Sequence, residues 1–210
     1  VIGCGYWGRN LVRNFASLGS LHTICDASHK VLEPFTNTYP DVNTEVDFQK
    51  VLSNPDIRGV VIATPAAQHY AMTKEALLAG KDVFVEKPFT NSTVEAQELL
   101  DISYQHKRVL LVGHLLLYHP SLQALKSYVQ SGELGDVYYV YSTRVNLGQI
   151  RRDENALWRL VPHDISMFVY LLDGKPMVVS ARGESYLQQG FVDVVFVTLK
   201  FNNSLAHAHA

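Results

Sequence analysis

Short apolar runs alternate with helix-like segments through the first half of the chain, and this alternation restricts the possible folds more than any other feature. We interpret five runs as strands, at residues 1–2, 22–25, 58–63, 82–85 and 109–112. Helical patterns lie between most of them, at residues 11–18, 29–38, 69–79 and 93–107. Alternation of this kind is typical of βαβ units, whose strands are parallel. The sequence therefore predicts an α/β protein that begins with a parallel sheet covered by helices.

The pattern changes after Gly113. Helices are predicted at residues 120–131 and 162–172, and strands at residues 137–145, 177–186 and 192–201. Long strands with few helices between them favour a mostly antiparallel sheet. We therefore predict two domains, residues 1–113 and residues 114–210, the second being an α+β domain with an open sheet. Both ends of the sequence fall within strand-like runs, so we expect the chain to be a fragment.

Composition excludes several functional classes. The formal net charge is −2 and no basic cluster exceeds the pair Arg151 and Arg152, so the basic surface of a nucleic-acid-binding protein is missing. No apolar run reaches the ~18 residues that a membrane-spanning helix needs. The two cysteines, Cys4 and Cys25, do not suggest a disulfide framework. We therefore expect a cytoplasmic protein without a nucleic-acid or membrane partner.

A G-x-G-x-x-G string at residues 3–8 connects the first strand to the first helix. Glycines suit this turn because the chain bends tightly, a pyrophosphate approaches the main-chain N–H groups, and the helix packs on the strand. Asp26 ends the next strand, where a carboxylate accepts hydrogen bonds from ribose hydroxyls and repels a 2′-phosphate. These features predict NAD rather than NADP as the cofactor. The alternative is a structural turn followed by an ordinary surface aspartate.

Two further strands end in polar residues followed by proline, A-T-P at residues 63–65 and E-K-P at residues 86–88. Ligands of open parallel sheets bind outside the carboxyl ends of the strands, so both tripeptides are predicted to face the cofactor. Lys87 is then placed where a nicotinamide and a substrate meet, and it can donate or share a proton near a developing alkoxide. The alternative is a surface ion pair between Glu86 and Lys87.

These motifs resemble those of the Gfo/Idh/MocA oxidoreductases. The similarity rests on the glycine string, on A-T-P followed by His69, and on the strings G-K-D-V-F-V-E-K-P, G-H-L-L-L-Y-H-P and P-H-D-I-S. It covers essentially the whole chain. The resemblance implies a Rossmann domain joined to an α/β domain whose open sheet shields the active site and often forms the oligomer interface. It also implies that Lys87 is the catalytic lysine, with a cis peptide bond to Pro88.

One position departs from the family pattern. Many members carry an aspartate four residues before the histidine of P-H-D-I-S, but Arg159 stands there, which leaves Lys87 and His163 as the predicted catalytic pair. Imidazole titrates near neutral pH, so we expect His163 to take the hydroxyl proton of the substrate. In the alternative, His163 is a structural residue at a helix N-terminus. Asp164 is expected to orient a neighbour or to cap that helix.

The predicted ligand contacts come from both halves of the chain. The predicted cofactor-binding residues are Gly3, Gly5, Tyr6, Trp7, Gly8, Asp26, Ala63, Thr64, Pro65, His69, Glu86, Lys87, Trp158 and Arg159. The predicted substrate-binding residues are Lys87, Tyr118, His119, Arg151, Asn155 and His163. Arg151 and Arg152 suit a diphosphate because guanidinium groups match phosphate oxygens, although such a pair can also be simply solvated. No cysteine or carboxylate spacing completes a metal site, so none is predicted.

The motifs L-W-x-x-x-P-H-D-I-S and H-L-L-L-Y-H-P resemble the WlbA- and WbpB-like branch of the family, which oxidises the C3 hydroxyl of UDP-N-acetylglucosamine derivatives. The resemblance predicts an NAD-dependent oxidoreductase acting on a secondary ring hydroxyl of a nucleotide sugar. A homo-oligomer, either a dimer or a tetramer, is expected through the C-terminal sheet. Two alternatives stay open: a dehydrogenase of a free sugar or inositol, and a non-catalytic NAD-binding regulatory subunit.

Overall fold

The predicted parallel sheet is present in the structure, a computed structural model that describes residues 1–145 and 155–210. Its strands are β1 (Thr23–Cys25), β2 (Asn43–Glu45), β3 (Gly59–Ile62), β4 (Asp82–Val85) and β5 (Leu110–Val112). Ile2 bridges Cys25 on one side and Ile62 on the other, so a short first strand joins β1 to β3. The order is therefore β2, β1, Ile2, β3, β4 and β5, with every pairing parallel. This is the strand order of a Rossmann fold.

Five helices belong to this part of the chain. They are α1 (Gly8–Ser17), α2 (His29–Thr38), α3 (Phe48–Ser53), α4 (Ala66–Leu78) and α5 (Thr93–Gln105). Strand β2 and helix α3 were not predicted, because β2 is a short, polar, largely exposed edge strand and α3 is only six residues long. Helix α4 begins three residues before the predicted start, directly after Pro65.

The core of the first unit, Val1–Gly113, lies along the strands. The side chains of Ile62, Leu77, Val85 and Leu99 are fully buried in one cluster. Each such side chain contributes about 1.5–3 kcal/mol on burial. Lys81 is also buried, and its ammonium group donates to the carbonyls of Asn54 and Ile57, at 2.7 Å each. A buried cation is tolerated here because these carbonyls replace its hydration.

The second unit, His114–Ala210, contains a four-stranded sheet that is mostly antiparallel, as the sequence predicted. After a 3₁₀ helix at Leu115–Tyr118, its elements are α6 (Pro120–Gln130), β6 (Tyr139–Thr143), α7 (Ala156–Leu171), β7 (Val178–Glu184), β8 (Val194–Lys200) and β9 (Leu205–His209). The strand order is β6, β9, β8, β7. The pairing of β6 with β9 is parallel, and the other two pairings are antiparallel.

One face of this sheet is buried against α7. Val197, Leu199 and Ala206 from the strands share a core with Val161 and Phe168 from the helix. Alternation along β8 explains this arrangement, because every second side chain of a strand points to the same face. The buried ammonium group of Lys126 on α6 donates to the carbonyl of Tyr170 at 2.7 Å and pairs with Asp173. It thereby satisfies a carbonyl group in the last turn of α7.

Helix α7 begins six residues before the predicted start. The predicted first residue, Pro162, lies inside the helix, which starts at Ala156. The side chain of Asn155 caps the helix by accepting a hydrogen bond from the main-chain N–H of Trp158 at 3.0 Å. The alternative that placed His163 at a helix N-terminus does not hold, and of the two roles expected for Asp164 the helix cap is excluded. No helix in the described part of the chain is long and apolar enough to cross a membrane.

Candidate active site

The glycine string forms a close turn between the first strand and α1. Gly3 has a φ of +81°, and a Cβ at this position would lie 2.7 Å from the main-chain nitrogen of Thr64. A Cβ at Gly8 would lie 1.9 Å from the carbonyl oxygen of Gly3. These two positions therefore require glycine, because any larger residue would push the helix away from the strand.

Gly5 differs from its neighbours because a Cβ there would meet no atom within 4 Å. The space in front of this residue is open, and the structure shows no side-chain cap on the N-terminus of α1. Free N–H groups at a helix N-terminus attract anions. An open turn before an uncapped helix fits the pyrophosphate of a dinucleotide. Tyr6, 87% exposed, follows at the surface of the same turn.

Asp26 follows β1 and faces the glycine turn. One carboxylate oxygen accepts a hydrogen bond from the main-chain N–H of Cys4 at 2.8 Å, and the other accepts from Ser28 at 3.0 Å. Each oxygen keeps a further lone pair, so the carboxylate can also accept from ribose hydroxyls. Asp26 thus holds the turn in place and presents its charge at the same edge of the sheet.

Cys4 and Cys25 lie beneath this turn, and both are buried free thiols. Desolvation by burial is the main cause that raises the pKa of Cys4 to about 12 and the pKa of Cys25 to about 11. Both side chains are therefore protonated at neutral pH, and a thiol in this state is a poor nucleophile. The two cysteines act as core residues.

The E-K-P turn follows β4 and contacts the glycine turn. Glu86 is buried and accepts a hydrogen bond from the indole N–H of Trp7 at 2.7 Å. The peptide bond between Lys87 and Pro88 is cis, as the family resemblance implied. The Lys87 side chain is half-buried. The carboxylate of Glu86 is directed into the protein and is not displayed at the surface.

His69 on α4 connects the A-T-P and E-K-P turns. Its side chain is 1% exposed, with Nδ1 2.7 Å from the carbonyl oxygen of Pro88 and Nε2 2.9 Å from that of Thr64. A neutral ring donates to one of these oxygens, and a charged ring donates to both. The direct cofactor contact suggested for His69 is not supported by this burial. The residue instead holds together the two turns that follow β3 and β4.

In the second unit, His163 lies near the middle of α7, where its carbonyl oxygen accepts a hydrogen bond from the Ser166 hydroxyl at 2.7 Å. The next residue, Asp164, is buried and receives two hydrogen bonds from Arg144, each 3.0 Å long. Arg144 follows β6, so this bidentate ion pair connects the sheet to the helix that carries His163. Sequence reasoning missed Arg144, because nothing in its local pattern identifies a partner 20 residues away.

The other predicted ligand-binding residues of this unit differ in exposure and in hydrogen bonding. Tyr118 is 69% exposed, whereas His119 caps α6 by accepting from the N–H of Ser121. Asn155 uses its side-chain oxygen as the cap of α7, so its predicted sugar contact would come from its side-chain NH2 group. Arg151 lies outside the described residues, as does Arg152.

Trp158 and Pro162 line an apolar cavity of about 640 Å³ within the second unit, which also involves His114 and Leu117. Trp158 is 41% exposed and Arg159, the next residue, is partly buried. Their predicted contacts with the cofactor stay predictions. Within residues 1–145 and 155–210, no group of three or more histidine, cysteine or carboxylate side chains is placed to hold a metal ion.

Comparison with known proteins assigns the family. Residues 1–114 match the oxidoreductase family with an NAD-binding Rossmann fold, and residues 122–210 match the Gfo/Idh/MocA C-terminal domain. The chain belongs to the Gfo/Idh/MocA oxidoreductases. The prediction of a Rossmann domain from a family of NAD-binding oxidoreductases is thereby confirmed.

Individual relatives cover almost the whole chain. The uncharacterised oxidoreductase YrbE of Bacillus subtilis is 27% identical over 97% of the chain, which spans 63% of YrbE. A UDP-N-acetylglucosamine 3-dehydrogenase of Acidithiobacillus ferrooxidans is 28% identical over 87% of the chain, which spans 56% of that enzyme. A crystal structure of a putative oxidoreductase from Magnetospirillum magnetotacticum is 31% identical and superposes with a TM-score of 0.88, covering 99% of this chain and 68% of that one. The chain thus spans less than two thirds of the two curated relatives.

Proposed function

We propose that the protein is an NAD-dependent dehydrogenase that oxidises a secondary ring hydroxyl of a nucleotide sugar, at C3 of a UDP-N-acetylglucosamine derivative. The observation that carries this proposal is the Lys87 turn, which follows β4 and adjoins a glycine turn with open space for a pyrophosphate. The relationship to a UDP-N-acetylglucosamine 3-dehydrogenase supports the choice of substrate. The two domains, residues 1–113 and 114–210, are proposed to bind the cofactor and the substrate respectively.

Lys87 and His163 are proposed to share the chemistry on the substrate hydroxyl. The chemistry that NAD supplies when bound is the acceptance of a hydride from the carbinol carbon. His163 takes the hydroxyl proton, and the ammonium group of Lys87 stabilises the negative charge that develops on the oxygen. The hydride carries away two electrons and the imidazole holds the proton, so the alcohol becomes a ketone without a further reactant.

The protein environment suits these roles. The Asp26 carboxylate is placed to accept from ribose hydroxyls, and its charge opposes a 2′-phosphate, which favours NAD. Arg159 lies four residues before His163, and residues at this spacing share one face of a helix. We propose that the Arg159 guanidinium binds an anionic group of the cofactor or the substrate. The predicted contact of Arg151 with the diphosphate has the same chemical basis.

The proposal is tested by NADH formation with a panel of candidate substrates. We expect absorbance of NADH to rise with UDP-N-acetylglucosamine or its uronic acid, in steady-state or single-turnover mixtures. The variant K87M should lower the rate about 100-fold or more, because it removes the charge that stabilises the alkoxide, while NADH still binds. The exposed Lys107 offers a matched control, since K107M removes the same charge at the opposite edge of the sheet, between α5 and the start of β5.

The other outcomes separate the alternatives. Turnover with free sugars or inositol but with no nucleotide sugar would replace the proposed substrate and keep the reaction. NADH binding without turnover of any sugar would favour the regulatory subunit. An unchanged rate for K87M would contradict the role given to Lys87.

A further inference from the structure

Glu86 is a buried carboxylate on which three separate segments of the first unit converge. The residue is 7% exposed. Its Oε1 accepts a hydrogen bond from the Trp7 indole at 2.7 Å, and its Oε2 accepts from the main-chain N–H of Lys87 at 3.2 Å. Trp7 belongs to the glycine turn, and Lys87 belongs to the E-K-P turn. One carboxylate therefore joins the two turns.

Gly113, at the end of β5, supplies the third side of this arrangement. Its main-chain N–H donates to the carbonyl of Val85 at 2.8 Å, which fixes its position beside β4. A Cβ at this position would lie 3.0 Å from the carboxyl carbon and from both carboxylate oxygens of Glu86. The absence of a side chain at Gly113 leaves the space that the carboxylate occupies.

The hydrogen bonds stabilise the buried carboxylate of Glu86. A carboxylate that loses water must gain donors, and hydrogen bonds to a charged acceptor are stronger than neutral ones. The indole of Trp7 has a single N–H donor, and its ring is 41% exposed. The bond to Glu86 therefore fixes the orientation of a ring whose remaining surface is open to a ligand.

We infer that Glu86 is a positioning residue that fixes the Trp7 ring relative to the Lys87 turn. It acts through these two groups and does not contact the reacting atoms. The contacts of Glu86 with Trp7 and Lys87 are those of the structure, while the roles given to the two turns rest on the proposed function. Glu86 thus holds the two turns together, in place of the direct cofactor contact that the sequence suggested for it.

A double-mutant cycle between Trp7 and Glu86 tests the inference. The variants are W7F, which keeps the ring and removes the N–H, E86Q, which keeps the size and cannot accept from both donors, and the double variant. We expect each single variant to weaken NADH binding about tenfold in calorimetry. The double variant should bind no more than about twofold more weakly than the poorer single variant, because W7F removes the same charge-assisted bond that E86Q weakens.

Gly113 provides an independent perturbation of the same carboxylate. The variant G113A leaves both bonding partners intact and displaces the carboxylate, so it should also weaken NADH binding several-fold. In a W158F background, Trp7 is the only tryptophan of the chain. Its fluorescence should then shift in E86Q and in G113A, which is a change that a purely structural role elsewhere would not cause.

A second aromatic–carboxylate pair serves as the control cycle. The Tyr70 hydroxyl donates to Glu98 at 2.5 Å, in the same unit and outside both turns. The variants Y70F and E98Q should leave NADH affinity unchanged, and circular dichroism should show that all variants are folded. The inference would be overturned if W7F and E86Q weakened binding independently, or if G113A bound NADH as the unmodified protein does.

The readouts keep this inference apart from the proposed function. If the protein binds NADH but oxidises no sugar, the proposed function fails and the cycle in NADH affinity still decides the role of Glu86. If a sugar is oxidised, E86Q should lower kcat more than W7F does, because only E86Q also weakens the bond to the Lys87 main chain. Equal effects on kcat would contradict the part of the inference that concerns Lys87.

Discussion

The variant R144M should destabilise the second unit, because it leaves a buried carboxylate without its cation. The side chain of Asp164 is 2% exposed and that of Arg144 is 32% exposed. Removing one partner of a fully buried pair costs roughly 3–5 kcal/mol. Since water reaches about a third of Arg144, we discount this cost to about 2 kcal/mol of unfolding free energy.

Urea unfolding measures this change. A W7F background leaves Trp158 as the only tryptophan, so fluorescence then follows α7 and its unit. The matched control is R182M, which removes an arginine that is 88% exposed and lies 4.0 Å from Glu184 on β7. This control should change the unfolding free energy by less than about 0.5 kcal/mol. Equal effects of R144M and R182M would refute the reasoning.

Three further predictions concern the first unit. The variant G8A should destabilise it strongly in thermal unfolding, because the added Cβ would lie 1.9 Å from a main-chain oxygen, whereas G5A should unfold as the parent does and yet bind NADH more weakly. Calorimetric NADH affinities similar to the parent in G5A would contradict the assignment of the open space. Burial raises the pKa of Cys4 and of Cys25, so neither thiol should react with iodoacetamide at pH 8 unless the protein is first unfolded. The same raised pKa values mean that the folded state holds these protons more tightly, so the stability they contribute is present below pH ~9 and is lost as the pH rises towards 11 and 12. Rapid alkylation of the native protein at pH 8, measured by mass spectrometry, would show that the thiols are exposed.

The elements that the sequence predicted well have strong local patterns. Buried strands such as β3 and β4 are continuous apolar runs, and the glycine turn has a spacing that few other structures require. Strand β2 has no such pattern, since its residues Asn43, Thr44 and Glu45 gain their conformation from pairing with β1. A tertiary contact of this kind is absent from local propensity.

The error at α7 has a different physical cause. Proline is favoured in the first turn of a helix, which made Pro162 an attractive start. The actual start is set by the Asn155 cap, and the helix tolerates Pro162 inside it although the proline cannot donate to the carbonyl four residues back. Packing of the apolar face of α7 against β8 and β9 outweighs this loss. The result moves His163 from the end of a helix to its middle.

The site itself was only partly predictable, because its geometry depends on contacts between residues that are distant in the sequence. Motifs named the residues that follow β3 and β4, but the partners of Glu86, His69 and Asp164 come from distant positions in the chain. Such partners appear only when the fold brings them together. Gly113, directly after β5, marks the predicted domain boundary, but nothing in the sequence around it identifies the Glu86 carboxylate beside it.

The two buried lysines give each half of the molecule an internal chemical label. Lys81 and Lys126 have their amines enclosed by carbonyl oxygens, one in each unit, at 6% and 4% exposure. An acylating reagent can reach either amine only after the surrounding structure has opened. The order in which these two positions become acylated in denaturant would therefore record which half of the protein gives way first, without any engineered probe.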